Sequence, residues 1–263
     1  MDERLLSRRR VLRAAKAHPL SPSQSGQDAW ALLRRGRDGF FLDVGCGNTK
    51  ALSNTWLLEK HFGWRGIAID PFPSGDWAAE RPATALIEAA VTARAAEQGG
   101  SERFIAPGHV LGGLVSAVDL DRVRAEVPPE QHGVVSVPTR TMRSILRACQ
   151  APARIDFLSL DTEGSEVEIL ESFPFESYTP LTIAVEHNWH EKKRDALLAT
   201  LGRIGYAREC TLFHDDLYVH ESVLAPATPE CDSETTTRNP KRSRAESYSQ
   251  REPDMEPDRV RDR

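Results

Sequence analysis

The chain has 263 residues, 34 basic and 39 acidic side chains, a net charge of −5 and 40% hydrophobic residues. That suits one α/β domain with extensions, and the acidic balance argues against a general polyanion binder while leaving room for a local basic patch. The four cysteines, Cys46, Cys149, Cys210 and Cys231, show no CxxC spacing, and no apolar run approaches the roughly 20 residues of a membrane span, which predicts free thiols and an intracellular, cytoplasmic protein.

Residues 1–22 are Arg-rich, lack the apolar core of a secretory signal, and carry Asp2 and Glu3, which count against an organelle-targeting helix; they read as a basic extension carrying a solvated leading helix. Asp28 and Trp30 mark the start of a helix. Residues 39–44 form a buried strand ending at glycines, and 52–61 a helix broken by Gly63. A second strand, 67–70, is stopped by Pro71 and Pro73, and a third strand region covers 85–91. The Gly-rich segment 104–118 reads as a hairpin excursion that shapes an acceptor site, followed by an extended stretch at 134–138 and a helix over 142–149. The strand 155–160 ends in Asp161 and leads to a helix over 166–170. The strand 181–185 ends in Glu186-His187-Asn188 and is followed by a helix over 192–204. A late antiparallel strand pair spans 207–219, with His214-Asp215-Asp216 as its solvated turn or, alternatively, part of a pocket lining. Residues 226–263 lack Leu, Ile, Phe and Trp and are predicted to be a disordered, charged tail. Within it Lys241, Arg242 and Arg244 beside Ser243 and Ser247 read as a solubilising patch or as a nuclear-import signal.

Strands alternating with helices predict an α/β fold with a doubly wound, mostly parallel sheet. Such sheets bind ligands outside the carboxyl ends of their strands, where Asp43, Asp70, Asp161 and Glu186 fall. Gly45 and Gly47 follow the first strand, but Lys50 stands where a dinucleotide fingerprint needs its last glycine. S-adenosylmethionine has no pyrophosphate and suits the loop better. Asp43 would meet its ammonium, Gly45 and Gly47 would let the backbone approach, and Asp70 would bind both ribose hydroxyls. Cys46, Pro71 and Ala90 complete the expected donor pocket. Ser53 and Asn54 read equally as contacts to the methionine part of the donor or as helix caps.

The segments SQSGQD (23–28), FLDVGCG (41–47), SNTWLLE (53–59), GWRGIAIDPFP (63–73), IDFLSLDTEGSEVEIL (155–170) and IAVEHN (183–188) together resemble the FkbM-type S-adenosylmethionine-dependent methyltransferases, over about residues 23–219. The resemblance implies a Rossmann-like class I methyltransferase domain, placed at 23–225. It also implies methyl transfer to an oxygen of a sugar or natural-product-like small molecule. Asp161 and Glu163 would then face the cleft opposite the donor, while Glu166 would stabilise a helix N-terminus. His187, beside Glu186, is the expected general base; alternatively Asp161, Glu186 and His187 hold a divalent cation, Mg²⁺ or Mn²⁺. An RNA ribose or cap methyltransferase, prompted by Arg8-Arg9-Arg10, and a non-catalytic partner-binding module remain the competing readings.

Overall fold

The computed structural model describes residues 5–96 and 99–224, all within one compact unit. The expected tail at 226–263, with its basic patch, lies outside the described residues.

Seven strands form the large sheet. Numbered in chain order they are β1 (Phe40–Val44), β2 (Arg65–Ile69), β3 (Thr84–Ile87), β4 (Phe157–Leu160), β5 (Thr182–Glu186), β6 (Tyr206–Leu212) and β7 (Asp215–His220), and their spatial order is β6-β7-β5-β4-β1-β2-β3. Strands β1 to β5 run parallel; β7 is antiparallel to both β5 and β6. The chain steps outward from β1 on one side and from β4 on the other, so a crevice opens between their carboxyl ends.

Strand alternation builds the core on both faces. Phe40, Leu42 and Val44 pack with Leu158, Ile183 and the helices Met142–Ala148, Glu166–Glu171 and Glu191–Gly202. Phe41, Phe157 and Ala184 pack on the other face with Trp30, Leu58 and Val11 from the helices Gln27–Arg35, Trp56–Phe62 and Arg8–Ala17. The N-terminal helix is therefore part of the core layer and not a solvated extension. Its arginines face solvent while Val11 is fully buried, because the apolar side chains share one helical face.

Two expected strands are each divided. Residues 84–87 close the edge of the large sheet, whereas Ala90–Val91 starts a separate four-stranded sheet with Val134–Arg140, Gly100–Ile105 and Gly113–Leu114. Arg154–Ile155 pairs with Thr179–Pro180, and Asp156 then breaks the run by accepting the Phe40 N–H at 2.9 Å. The expected helix at 52–61 starts only at Trp56: Leu52 has φ +59°, and the Ser53 hydroxyl accepts the Trp56 N–H at 3.1 Å. An unanticipated helix, Leu120–Glu126, is capped by Asp119, whose carboxylate takes the N–H groups of Asp121 and Arg122. Asp215 and Asp216 are not in a solvated turn. Both are buried at the start of β7, where Asp216 meets Arg194 at 2.9 Å and Asp215 accepts Gln27 Nε2 at 2.8 Å. Among the described residues no helix is long and apolar enough to cross a membrane.

Candidate active site

A cleft of about 620 Å³ occupies the crevice at the carboxyl ends of the strands. The glycine loop after β1 forms one wall. Gly45 has φ +83°, and a Cβ there would stand 1.6 Å from the Asp161 carbonyl oxygen, so glycine is required by both conformation and space. Gly47, at φ +56°, borders open space and donates its N–H to Asp70 Oδ2 at 3.0 Å. The other Asp70 oxygen accepts the Phe72 N–H at 2.7 Å, which fixes the carboxylate at the end of β2. Thr49 and Lys50 turn away from the cleft: Thr49 donates to Glu80 at 2.6 Å, and the Lys50 ammonium lies 4.6 Å from the centre of the Trp56 ring.

Asp43, at the end of β1, accepts the Thr55 hydroxyl at 2.6 Å. Burial pushes its carboxyl up, opposed chiefly by the Thr55 hydrogen bond and the positive charge of Arg81. Ser53 caps the turn before the Trp56–Phe62 helix, while Asn54 Nδ2 donates to Ser159 at 3.0 Å; both residues also line the cleft. Cys46, Pro71 and Ala90 complete the same wall, and burial raises the Cys46 thiol well above its usual range.

The opposite wall is acidic. Asp161, Glu163 and Glu186 each offer a carboxylate oxygen, and the three oxygens lie within 4.8 Å of one another. Glu163 is held at φ +55°, an uncommon backbone state for a side-chain-bearing residue and a feature typical of functional turns. Beneath it, the buried Glu166 accepts the N–H groups of Thr162 at 2.9 Å and Gly164 at 3.2 Å and pairs with Lys193 at 2.6 Å. Glu166 thus braces the turn, in line with its expected structural role. Asn188 Nδ2 donates to Glu186 at 2.7 Å and to Glu163 at 3.1 Å, and Arg122 reaches Glu163 at 3.2 Å. Burial, reinforced by the neighbouring acids, raises Asp161 to about 6, Glu163 to about 7 and Glu186 to about 11, so Glu186 keeps its proton at neutral pH while Asp161 and Glu163 titrate close to it.

His187 does not join this wall. It is fully buried outside the cleft lining, its Nδ1 accepts the Trp189 N–H at 3.0 Å, and its Nε2 lies 3.6 Å from Asp216. Burial lowers it to about 4, which keeps it neutral. Glu186 ends the strand facing the cleft and His187 takes the other side, while Asn188, at φ +48°, turns back toward Glu186. The combination Asp161, Glu186 and His187 is therefore not assembled, and Glu163 stands in the place expected for the histidine.

A family model described as the methyltransferase FkbM domain matches residues 43–215, more than half of the chain. The protein belongs to the FkbM methyltransferase family. No curated protein and no solved structure matches it significantly. The FkbM family implies a class I methyltransferase α/β fold, and the described sheet is mostly parallel with helices on both faces. The FkbM match begins at Asp43 and ends at Asp215, so it contains both walls of the cleft. Sequence reading overlooked Asn188, Arg122 and Arg81. The two-residue step from Glu186 would have found Asn188. Arg122 lies on a polar helix with a single buried residue, Val123, and Arg81 follows a four-residue helix, so neither carries a periodic signal.

Proposed function

We propose that this methyltransferase uses S-adenosylmethionine to methylate a hydroxyl oxygen on a sugar or natural-product-like small molecule. The observation that carries the reading is the pairing of walls: Asp43 and Asp70 end adjacent strands on one side of the cleft, and Asp161, Glu163 and Glu186 face it from the other. The residues present fit the donor. Asp43 would hold its ammonium, Asp70 has lone pairs left for the ribose hydroxyls, and Gly47 leaves open space beside them. When bound, the donor supplies an electrophilic methyl group on a positively charged sulfur, whose departure needs no acid.

The chain's own task is then to orient the acceptor hydroxyl and take its proton. Asp161 and Glu163, which titrate nearest neutrality, would take the proton, and the protonated Glu186 would help orient the hydroxyl. The apolar face from the excursion, with Phe104, Leu111 and Leu114, would seat the body of the acceptor. The test is calorimetry with S-adenosylmethionine. Asp70→Ala is expected to weaken binding at least tenfold, because two charge-assisted hydrogen bonds are lost; unchanged affinity would sink the ribose assignment.

A second reading is favoured by the close approach of the three carboxylates: a divalent cation held by Asp161, Glu163 and Glu186 would lower the pKa of the acceptor hydroxyl. Under that reading Mg²⁺ or Mn²⁺ raises the melting temperature of the wild type but not of a Glu163→Gln variant. Equal shifts in both proteins argue against it.

A further inference from the structure

Arg81 is completely buried, and its guanidinium ties together three segments around the donor wall. Its Nε pairs with Glu59 on the Trp56–Phe62 helix. One terminal nitrogen donates to the Thr49 carbonyl at 3.0 Å and to the Ser53 hydroxyl at 3.4 Å, and the other donates to the Thr55 hydroxyl at 3.0 Å. The rings of Phe41 and Trp77 flank it at 5.6 and 5.1 Å. Glu59 is held in turn by the Ala83 N–H at 3.0 Å and the Thr84 hydroxyl at 2.5 Å.

The direction of the hydrogen bonds follows from this arrangement. A guanidinium can only donate, so the Thr55 oxygen must accept from Arg81 and its single proton must point elsewhere. It points at Asp43 Oδ2, 2.6 Å away. Asp43 therefore receives a fixed hydrogen bond and a positive field without forming an ion pair of its own, since the ion pair of Arg81 is made with Glu59.

We propose that Arg81 is a positioning residue for the donor's ammonium group, acting through the Thr55 hydroxyl on the Asp43 carboxylate. The proposal rests on the donor reading above. A direct Arg81–Asp43 pair would occupy and neutralise the carboxylate, whereas the relay leaves it turned to the cleft and available to a cation. Around Asp43 burial, with Asp70, raises the carboxyl, and Thr55, Arg81 and Ser159 pull the other way, toward the ionised form that an ammonium needs.

The test compares S-adenosylmethionine with 5′-methylthioadenosine, which shares the adenosine and thioether but lacks the amino acid part. Thr55→Val is expected to weaken S-adenosylmethionine binding roughly tenfold to a hundredfold, the worth of a hydrogen bond to a charged group. It should leave methylthioadenosine affinity unchanged, and Thr55→Ser should restore the loss. Arg81→Lys, which keeps the charge beside Glu59, is the second variant and is expected to show the same selectivity if Thr55→Val does not fold. Asp70→Ala, by contrast, should weaken both ligands. A Thr55→Val or Arg81→Lys protein that loses both ligands equally, or neither, overturns the relay alone. A wild type that binds neither ligand overturns the donor reading and the relay with it.

Discussion

Gly45 and Gly47 look alike in sequence and do different work. At Gly45 the added methyl of an alanine would overlap the Asp161 carbonyl, and the backbone is left-handed besides. At Gly47 only the backbone state resists, because nothing lies within 4 Å of the added atom. Gly45→Ala is therefore expected to cost about 2–5 kcal/mol, the sum of left-handed strain and overpacking, and Gly47→Ala about 1–2 kcal/mol. Urea denaturation of the two variants measures the gap, and equal losses would show that the loop moves freely away from Asp161.

Among the elements, the strands that carry the site were the most legible. β1, β2, β4 and β5 are short apolar runs, each with an acid within one residue of its end, and that pattern survives without any knowledge of the fold. The cleft gathers Asp43, Asp70, Asp161 and Glu186, which were chosen at strand ends, because a parallel sheet brings its strand ends together. What misled was finer. The polar Ser53-Asn54-Thr55 turn delays its helix by hydrogen-bonding its own backbone, so apolar spacing alone placed the start too early. The 84–91 run looks continuous, yet it changes sheets around the exposed Glu88. For His187 the residue type suggested chemistry, while the strand period dictated that it point away from Glu186. Asp215 and Asp216 looked like turn residues because their partners, Gln27, Arg194 and Thr211, lie elsewhere in the chain.

Across the whole molecule, buried carboxyls set the expected response to pH. Glu163 rises from 4.5 to about 7 and Asp215 from 3.8 to about 8, in both cases chiefly through burial. A raised carboxyl binds its proton more tightly in the folded state. Its contribution to stability is present in full below its unfolded value and is lost as pH climbs through the folded one. His187 works in the opposite sense: lowered from 6.5 to about 4, it contributes above 6.5 and loses that contribution on acidification. The melting temperature of the ligand-free protein is therefore expected to fall between about pH 6.5 and 8.5, where only the carboxyls act in this balance. Asp215→Asn should reduce the slope. A melting temperature that rises over the same interval would contradict the assigned burial.

The contact of Gly45 with Asp161 also bears on how such an enzyme changes its substrate. Because the glycine loop and the acid turn interlock backbone to backbone, neither can be exchanged without the other, and a chimera has to carry both from one parent. The 100–140 segment is under less constraint: it builds its own four-stranded sheet with Ala90–Val91 and brings Phe104, Leu111 and Leu114 to the cleft. Changes to the cleft lining, by evolution or by design, are best sought in that insert, with the rest of the domain kept as a fixed chassis.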